Sequence, residues 1–100
     1  MNVKITKEDN KYSVVVEGRV DTTNAEQFQQ HLAPLMQAQN AEINIDCSAL
    51  DYTSSQGLRS FLVLQKSTMS HGSNLTLFNM QPQVKEVFDI TGFSNIIRIV

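Results

Sequence analysis

Apolar positions along the chain first alternate, then recur at helical spacing, and the two periods take turns to the end. Val3 to Thr6 and Ser13 to Val20 are rich in β-branched residues and are separated by the polar stretch KEDNK, which is the pattern of an antiparallel hairpin. In DTTNAEQFQQHLAPLMQAQ, the residues Ala25, Phe28, Leu32, Leu35 and Met36 fall on one helical face. Thr23 and Glu26 have capping-box spacing at its start. Pro34 predicts a kink or an early end, because its ring displaces the hydrogen bond to the carbonyl four residues back. Glu42 to Cys47 reads as a strand, and SALDYT as a connector. A second helix is expected from Gln56 to about Ser70, with Leu58, Phe61 and Leu62 apolar and Gly72 as its stop. Asn74 to Phe78 is another short strand. A third helix opens on Pro82, places Val84, Val87 and Phe88 on one face and ends at Gly92; Ile96 to Val100 is the last strand.

Strands alternating with helices after an opening hairpin predict an α/β fold, with a mixed, mostly parallel sheet and helices packed on it. In open sheets of this kind, function gathers in the turns at the carboxyl ends of the strands. The turn DYTSS, at positions 51–55, is one of these, and it is rich in hydroxyls.

Composition narrows the possibilities. One hundred residues without repeats or low-complexity segments make one domain, spanning 1–100. A formal charge of −2, with Lys and Arg scattered, gives no electrostatic reason to expect a nucleic-acid partner. No stretch approaches the roughly 20 apolar residues of a membrane span. The opening MNVKITKEDNK has no apolar core of signal-peptide length, so a cytoplasmic protein without direct membrane insertion is expected. Cys47 stands alone at the end of an apolar strand pattern with no basic neighbour to activate it, and is read as a small buried hydrophobe. The chain has no P-loop, no G-x-G-x-x-G and no Cys/His cluster of metal spacing, so neither cofactor nor metal is expected.

Three readings compete for the serine corner. Ser54 or Ser55 can be a helix cap, whose oxygen accepts from an otherwise unpaired amide. A nucleophile elbow needs Gly on both sides as G-x-S-x-G, whereas only Gly57 is present and Thr53 fills the other place. The candidate bases, His31 and His71, lie on the polar side of one helix and at the exit of another, and a serine without a base is a poor attacking group. No enzyme is expected. Asp21, Asp46 and Asp51 lie near strand ends, where acids cap or solvate more often than they catalyse. The third reading is phosphate acceptance. A group on Ser55 would sit at the mouth of the second helix, where free amides and the positive dipole end favour an anion, and Gly57 would leave room beside it. On local sequence the cap and the phosphate acceptor both remain open.

The order and spacing of several stretches bear on that choice. GRVDTTNAEQF, INIDCSALDYTSSQGLRSFL and LTLFNMQPQVKEVFDITGFSNIIRI together resemble, from end to end, the STAS-domain anti-sigma factor antagonists. These are bacterial proteins that release sigma factors by binding their anti-sigma kinases. The resemblance implies a STAS-type domain whose phosphorylated residue is Ser55, with Ser54 as second choice. It implies a docking face of Asp21, Thr22, Ser54, Ser55, Gln56, Gly57 and Arg59. It also implies an anti-sigma factor partner with a histidine-kinase-like ATPase fold, and a PP2C-type phosphatase that reverses the modification. The chain departs from the commoner family pattern by carrying Ser54, where an Asp often precedes the acceptor, and Gln56, where a small residue often follows it. The same architecture is similar to the STAS subunit of lipid-transport ABC complexes and to the cytoplasmic domain of sulfate-type anion transporters, where its role is constitutive and structural.

Overall fold

A computed structural model describes all 100 residues. The chain opens with β1 (Asn2–Glu8) and β2 (Lys11–Val20), antiparallel and in register from Asn2 opposite Glu17 to Glu8 opposite Lys11. Both strands run further than the β-branched pattern indicates. They leave only Asp9 and Asn10 as the turn, and Asp9 takes a φ of 53°, which an acid tolerates better than a branched residue.

After the hairpin come α1 (Ala25–His31), the single turn α2 (Ala33–Met36), β3 (Glu42–Asp46), β4 (Leu50–Thr53), α3 (Ser55–Ser70), β5 (Asn74–Phe78), α4 (Pro82–Ile90) and β6 (Arg98–Ile99). The main sheet has the order β1-β2-β3-β5-β6, parallel in every pair but the first. The expected break lies at Leu32, just ahead of Pro34, which takes the first turn of α2, where its missing N–H leaves no bond unmade.

One expectation is corrected. SALDYT is not a plain connector, because Leu50–Thr53 forms β4 and pairs in parallel with the end of β2. The first half of β2 pairs with β3 and its last three residues with β4, across a bulge between Gly18 and Arg19. Gly18 has a φ of 93° there, which a side chain would strain. The last strand is also shorter than its apolar run: Phe93–Asn95 forms a 3₁₀ turn and only Arg98–Ile99 pairs with β5.

Alternation along the strands decides what is buried. Val14 and Val16 of β2, Ile43 and Ile45 of β3, and Leu75 and Leu77 of β5 face the helices and are essentially inaccessible. The helices close over them through Phe28, Leu32, Leu35, Leu58, Phe61, Leu64, Val84 and Phe88. Phe61 of α3 is the hub. Its ring lies 5.2 Å from Phe28 of α1 and 5.5 Å from Phe88 of α4, in tilted and edge-on contacts that aromatic quadrupoles favour. Three helices are thereby held in fixed relation over the sheet, and the spacing between α1 and α3 is set from below.

Candidate functional site

β2 and β4 end side by side, with Val20 paired to Thr53, so two turns leave the sheet at the same place. The amide of Ser54 donates to the carbonyl of Val20 at 2.9 Å, which ties the second turn to the first. This places Asp21 and Thr22, which follow β2, next to Ser54 and Ser55, which follow β4.

The first turn is organised by the Asp21 carboxylate. Its Oδ1 accepts from the Thr23 amide at 3.0 Å and the Thr23 hydroxyl at 2.6 Å. Asn24 Oδ1 accepts from the Asp21 amide, and Asn24 Nδ2 donates to the Arg19 carbonyl, both at 2.9 Å. The Thr23 hydroxyl, then the Thr23 amide, hold the Asp21 carboxyl below its ordinary 3.8, with Arg19 a lesser contributor, so Asp21 is an anion at neutral pH. The capping box expected of Thr23 and Glu26 does not form. The Thr23 hydroxyl and amide both donate to Asp21, which fixes Thr23 in the preceding turn, and α1 starts one residue later, after Asn24, with no side-chain cap. Arg19 lies 3.9 Å from Asp21 Oδ2 and stacks its guanidinium 4.4 Å above the half-exposed Tyr52 ring.

The second turn divides the labour of its two serines. Ser54 is the cap: it is extended, with φ −86° and ψ 174°, and its Oγ accepts from the Gly57 amide at 3.2 Å. Ser55 is the first residue of α3, is exposed, and its hydroxyl takes no hydrogen bond. As first-turn residues, Ser55 and Gln56 also keep amides with no acceptor in the helix. The helix begins one residue earlier than its apolar pattern suggests, which leaves Ser55 on its rim.

Gly57 has a different role from the one expected of it. It is buried, and a Cβ there would stand 2.3 Å from Thr53 Oγ1 and 2.9 Å from the Val20 carbonyl oxygen. Its missing side chain lets α3 sit down on the ends of β2 and β4, and clears no space for an anion on the outer side.

Between α1 and α3 runs an open groove of about 670 Å³. Glu26, Gln29 and Gln30 of α1 form one wall, and Ser55, Gln56 and Arg59 of α3 the other. The structure thus brings Ser55, Gln56 and Arg59 onto one surface, sets Asp21 and Thr22 in the adjoining turn, and turns Gly57 inward. The α1 wall is missed by the sequence reading, although positions 26, 29 and 30 have the i, i+3, i+4 spacing of a polar face opposite Ala25, Phe28 and Leu32. Tyr52 and Arg19 are missed as well, because their stacking depends on β4.

No general base enters the groove. His31 is exposed on α1 outside its lining, and His71 lies at the far end of α3, about 24 Å along the axis, with Nδ1 2.7 Å from the Ser67 carbonyl. No group of three His, Cys, Asp or Glu side chains is placed to hold a metal. Cys47 is fully buried, and desolvation, aided by the nearby Asp46 charge, pushes its thiol up to about 12. It is a core residue, as its position in the sequence suggests. Asp46 accepts from the Ser48 amide at 2.9 Å and so serves its turn, and Asp51, on β4, accepts from the side chain of Gln81 ahead of α4 at 3.3 Å.

The STAS domain family model matches residues 2–100. The chain belongs to the STAS domain family. Among its relatives is BtrV of Bordetella bronchiseptica, named as an anti-sigma factor antagonist, 33% identical over 99% of this chain and 85% of that protein. The anti-sigma-B factor antagonist of Bacillus subtilis is 31% identical over 99% of this chain and 90% of that one. Two solved structures share the fold of this STAS domain. One, from Thermotoga maritima and described as an anti-sigma factor antagonist, has a TM-score of 0.86 at 20% identity over 97% of this chain and 84% of that one. The other is the Bacillus cell fate determinant SpoIIAA in its phosphorylated form, with a TM-score of 0.73 at 16% identity over 99% of this chain and 91% of that one. No helix of this STAS domain is long and apolar enough to cross a membrane.

Proposed function

We propose that this STAS domain is an anti-sigma factor antagonist, switched by phosphate on Ser55. Unmodified, it docks the surface of Asp21, Thr22, Ser54, Ser55, Gln56 and Arg59 onto an anti-sigma factor with a histidine-kinase-like ATPase fold, and so frees the sigma factor. The partner supplies the chemistry: the γ-phosphoryl group of ATP passes to Ser55 Oγ, ADP leaves and the hydroxyl proton is released. A PP2C-type phosphatase hydrolyses the ester and resets the switch. The observation that carries this reading is the division between the two serines: Ser54 is engaged as the cap, whereas the Ser55 hydroxyl is exposed and unbonded at the rim of a groove. The names of the relatives support it over a transport subunit.

The energetics suffice. A phosphate adds roughly −1.5 to −2 charges at neutral pH to a surface that already holds ionised Asp21. A hundredfold loss of affinity requires about 2.7 kcal/mol, which desolvating one poorly compensated dianion at an interface can supply.

The experiment is intact-mass and peptide mapping of the protein from its own cells, joined to binding of Ser55 variants to the copurifying partner. One phosphate within residues 52–59 is expected. Ser55→Ala should bind the partner and resist release by ATP, and Ser55→Asp should bind at least tenfold more weakly. Normal phosphate incorporation into Ser55→Ala would move the acceptor to Ser54 or Thr53, and unweakened binding of Ser55→Asp would end the charge-switch account.

A further inference from the structure

The groove holds one cation that nothing else in the fold uses. Arg59 is exposed on α3 and lines the α1–α3 groove beside Ser55. The ion pairs of the molecule are Lys4–Glu17, Arg19–Asp21 and Lys85–Asp89; Arg59 enters none of them, and its guanidinium makes no hydrogen bond. Glu26, on the facing wall, is likewise without a cation within ion-pair distance.

Ser55 and Arg59 stand four residues apart on one helix, the spacing at which side chains meet. Cα–Cβ bonds tilt toward a helix's amino end, so a long side chain at position 59 leans over the turn that carries position 55. The order is also the favourable one, with the acceptor of negative charge on the amino-terminal side and the cation on the carboxyl-terminal side. A guanidinium can hold two phosphate oxygens at once through parallel N–H donors.

We propose that Arg59 is the built-in counter-ion of a phosphate on Ser55, drawing the modified side chain back along α3 into the groove, a role that rests on the phosphorylation reading above. Phosphorylation then changes the docking face twice. It adds a dianion at Ser55 and withdraws the one free cation of the groove from any partner. The other charges near the phosphate are Glu26 on α1, which repels it, and Asp21 after β2, which is already tied to Thr23 and lies near Arg19.

The test installs phosphoserine at position 55 during synthesis of the full chain, so that it does not depend on any kinase. The second ionisation of the phosphate is then followed by ³¹P NMR against pH in the parent protein and in the R59Q, R59K and E26Q variants. Arg59 favours the dianion, so its removal should raise the phosphate pKa by roughly 0.2 to 0.4 units, the range an i,i+4 ion pair provides. R59K should retain part of the depression, and E26Q should lower the pKa further. An R59Q value equal to that of the parent, even with both below an unstructured phosphopeptide, would assign the effect to the α3 amides and overturn the proposal. Absence of phosphate from Ser55 in the protein's own cells is a separate result, which removes the regulatory reading and leaves the measured pairing intact.

Discussion

Two adjacent serines with the same side chain do different work because they fall on opposite sides of a helix boundary. Ser54 has non-helical dihedrals, and its oxygen faces back over the first turn, where the Gly57 amide would otherwise lack an acceptor. Ser55 has entered the helix, so its side chain projects outward and meets only solvent. This asymmetry can be measured without a partner. Ser54→Ala should lower unfolding stability by about 1 kcal/mol, the ordinary value of a cap, whereas Ser55→Ala should change it by less than about 0.5 kcal/mol. Urea unfolding of the two variants checks this, and equal losses would mean that the cap is shared. Sequence alone left the two serines indistinguishable as caps, because a shift of one residue in the helix start exchanges their roles. Asp21 shows the same limit from the other side. Its position after β2 was legible, but its capture of Thr23 was not, since that depends on the turn folding the Thr23 amide and hydroxyl back onto the carboxylate.

Most elements followed from periodicity: the hairpin, β3, α3, β5 and α4 all lie where apolar spacing puts them. β4 did not, and the reason is physical. Its four residues, LDYT, are buried only at the two ends, have no β-branched run, and are held by pairing to the last residues of β2 beyond a bulge. Such a strand exists because of its partner and leaves almost no local trace. Yet it positions the whole site, since Thr53 leads directly into the cap and Tyr52 stacks under Arg19. The glycine of the same segment was visible, but its purpose was not, and the close approach of α3 to the strand ends gives it a test. Gly57→Ala should gain about 1 kcal/mol of helix propensity, but its Cβ would stand 2.3 Å from Thr53 Oγ1 and 2.9 Å from backbone at Val20. Backbone cannot give way as a flexible side chain can, so overpacking, which costs about 1–3 kcal/mol, should outweigh that gain and leave a net loss of up to about 2 kcal/mol. The variant is expected to unfold at lower urea with an unchanged m-value; a more stable protein would show that α3 sits less tightly on β2 and β4.

At the scale of the molecule, the question is whether charge at Ser55 reaches the core. The 20 buried residues of the core lie beneath the helices, and Ser55 stands outside them at the carboxyl end of the sheet. An added charge there should alter the surface and leave the interior alone; an anion at a helix start even favours the fold slightly. Cys47 provides the readout. It is fully buried at the end of β3, and desolvation pushes its thiol up to about 12, so the folded state disfavours the reactive thiolate. Because the folded value lies above the ordinary 9.0, this preference stabilises the fold below about pH 9 and is lost as pH rises toward 12. At pH 8 the preference is intact, and a thiol reagent reaches Cys47 only through opening of the structure. The labelling rate then tracks the opening equilibrium, in which 1.4 kcal/mol is a factor of ten. Ser54→Ala, having lost about 1 kcal/mol, should label roughly fivefold faster and so calibrates the assay. Ser55→Asp should label at the parent rate or more slowly. If it instead labels as fast as Ser54→Ala, negative charge at Ser55 loosens the fold itself, and phosphate would act by weakening the domain instead of by changing the face it presents.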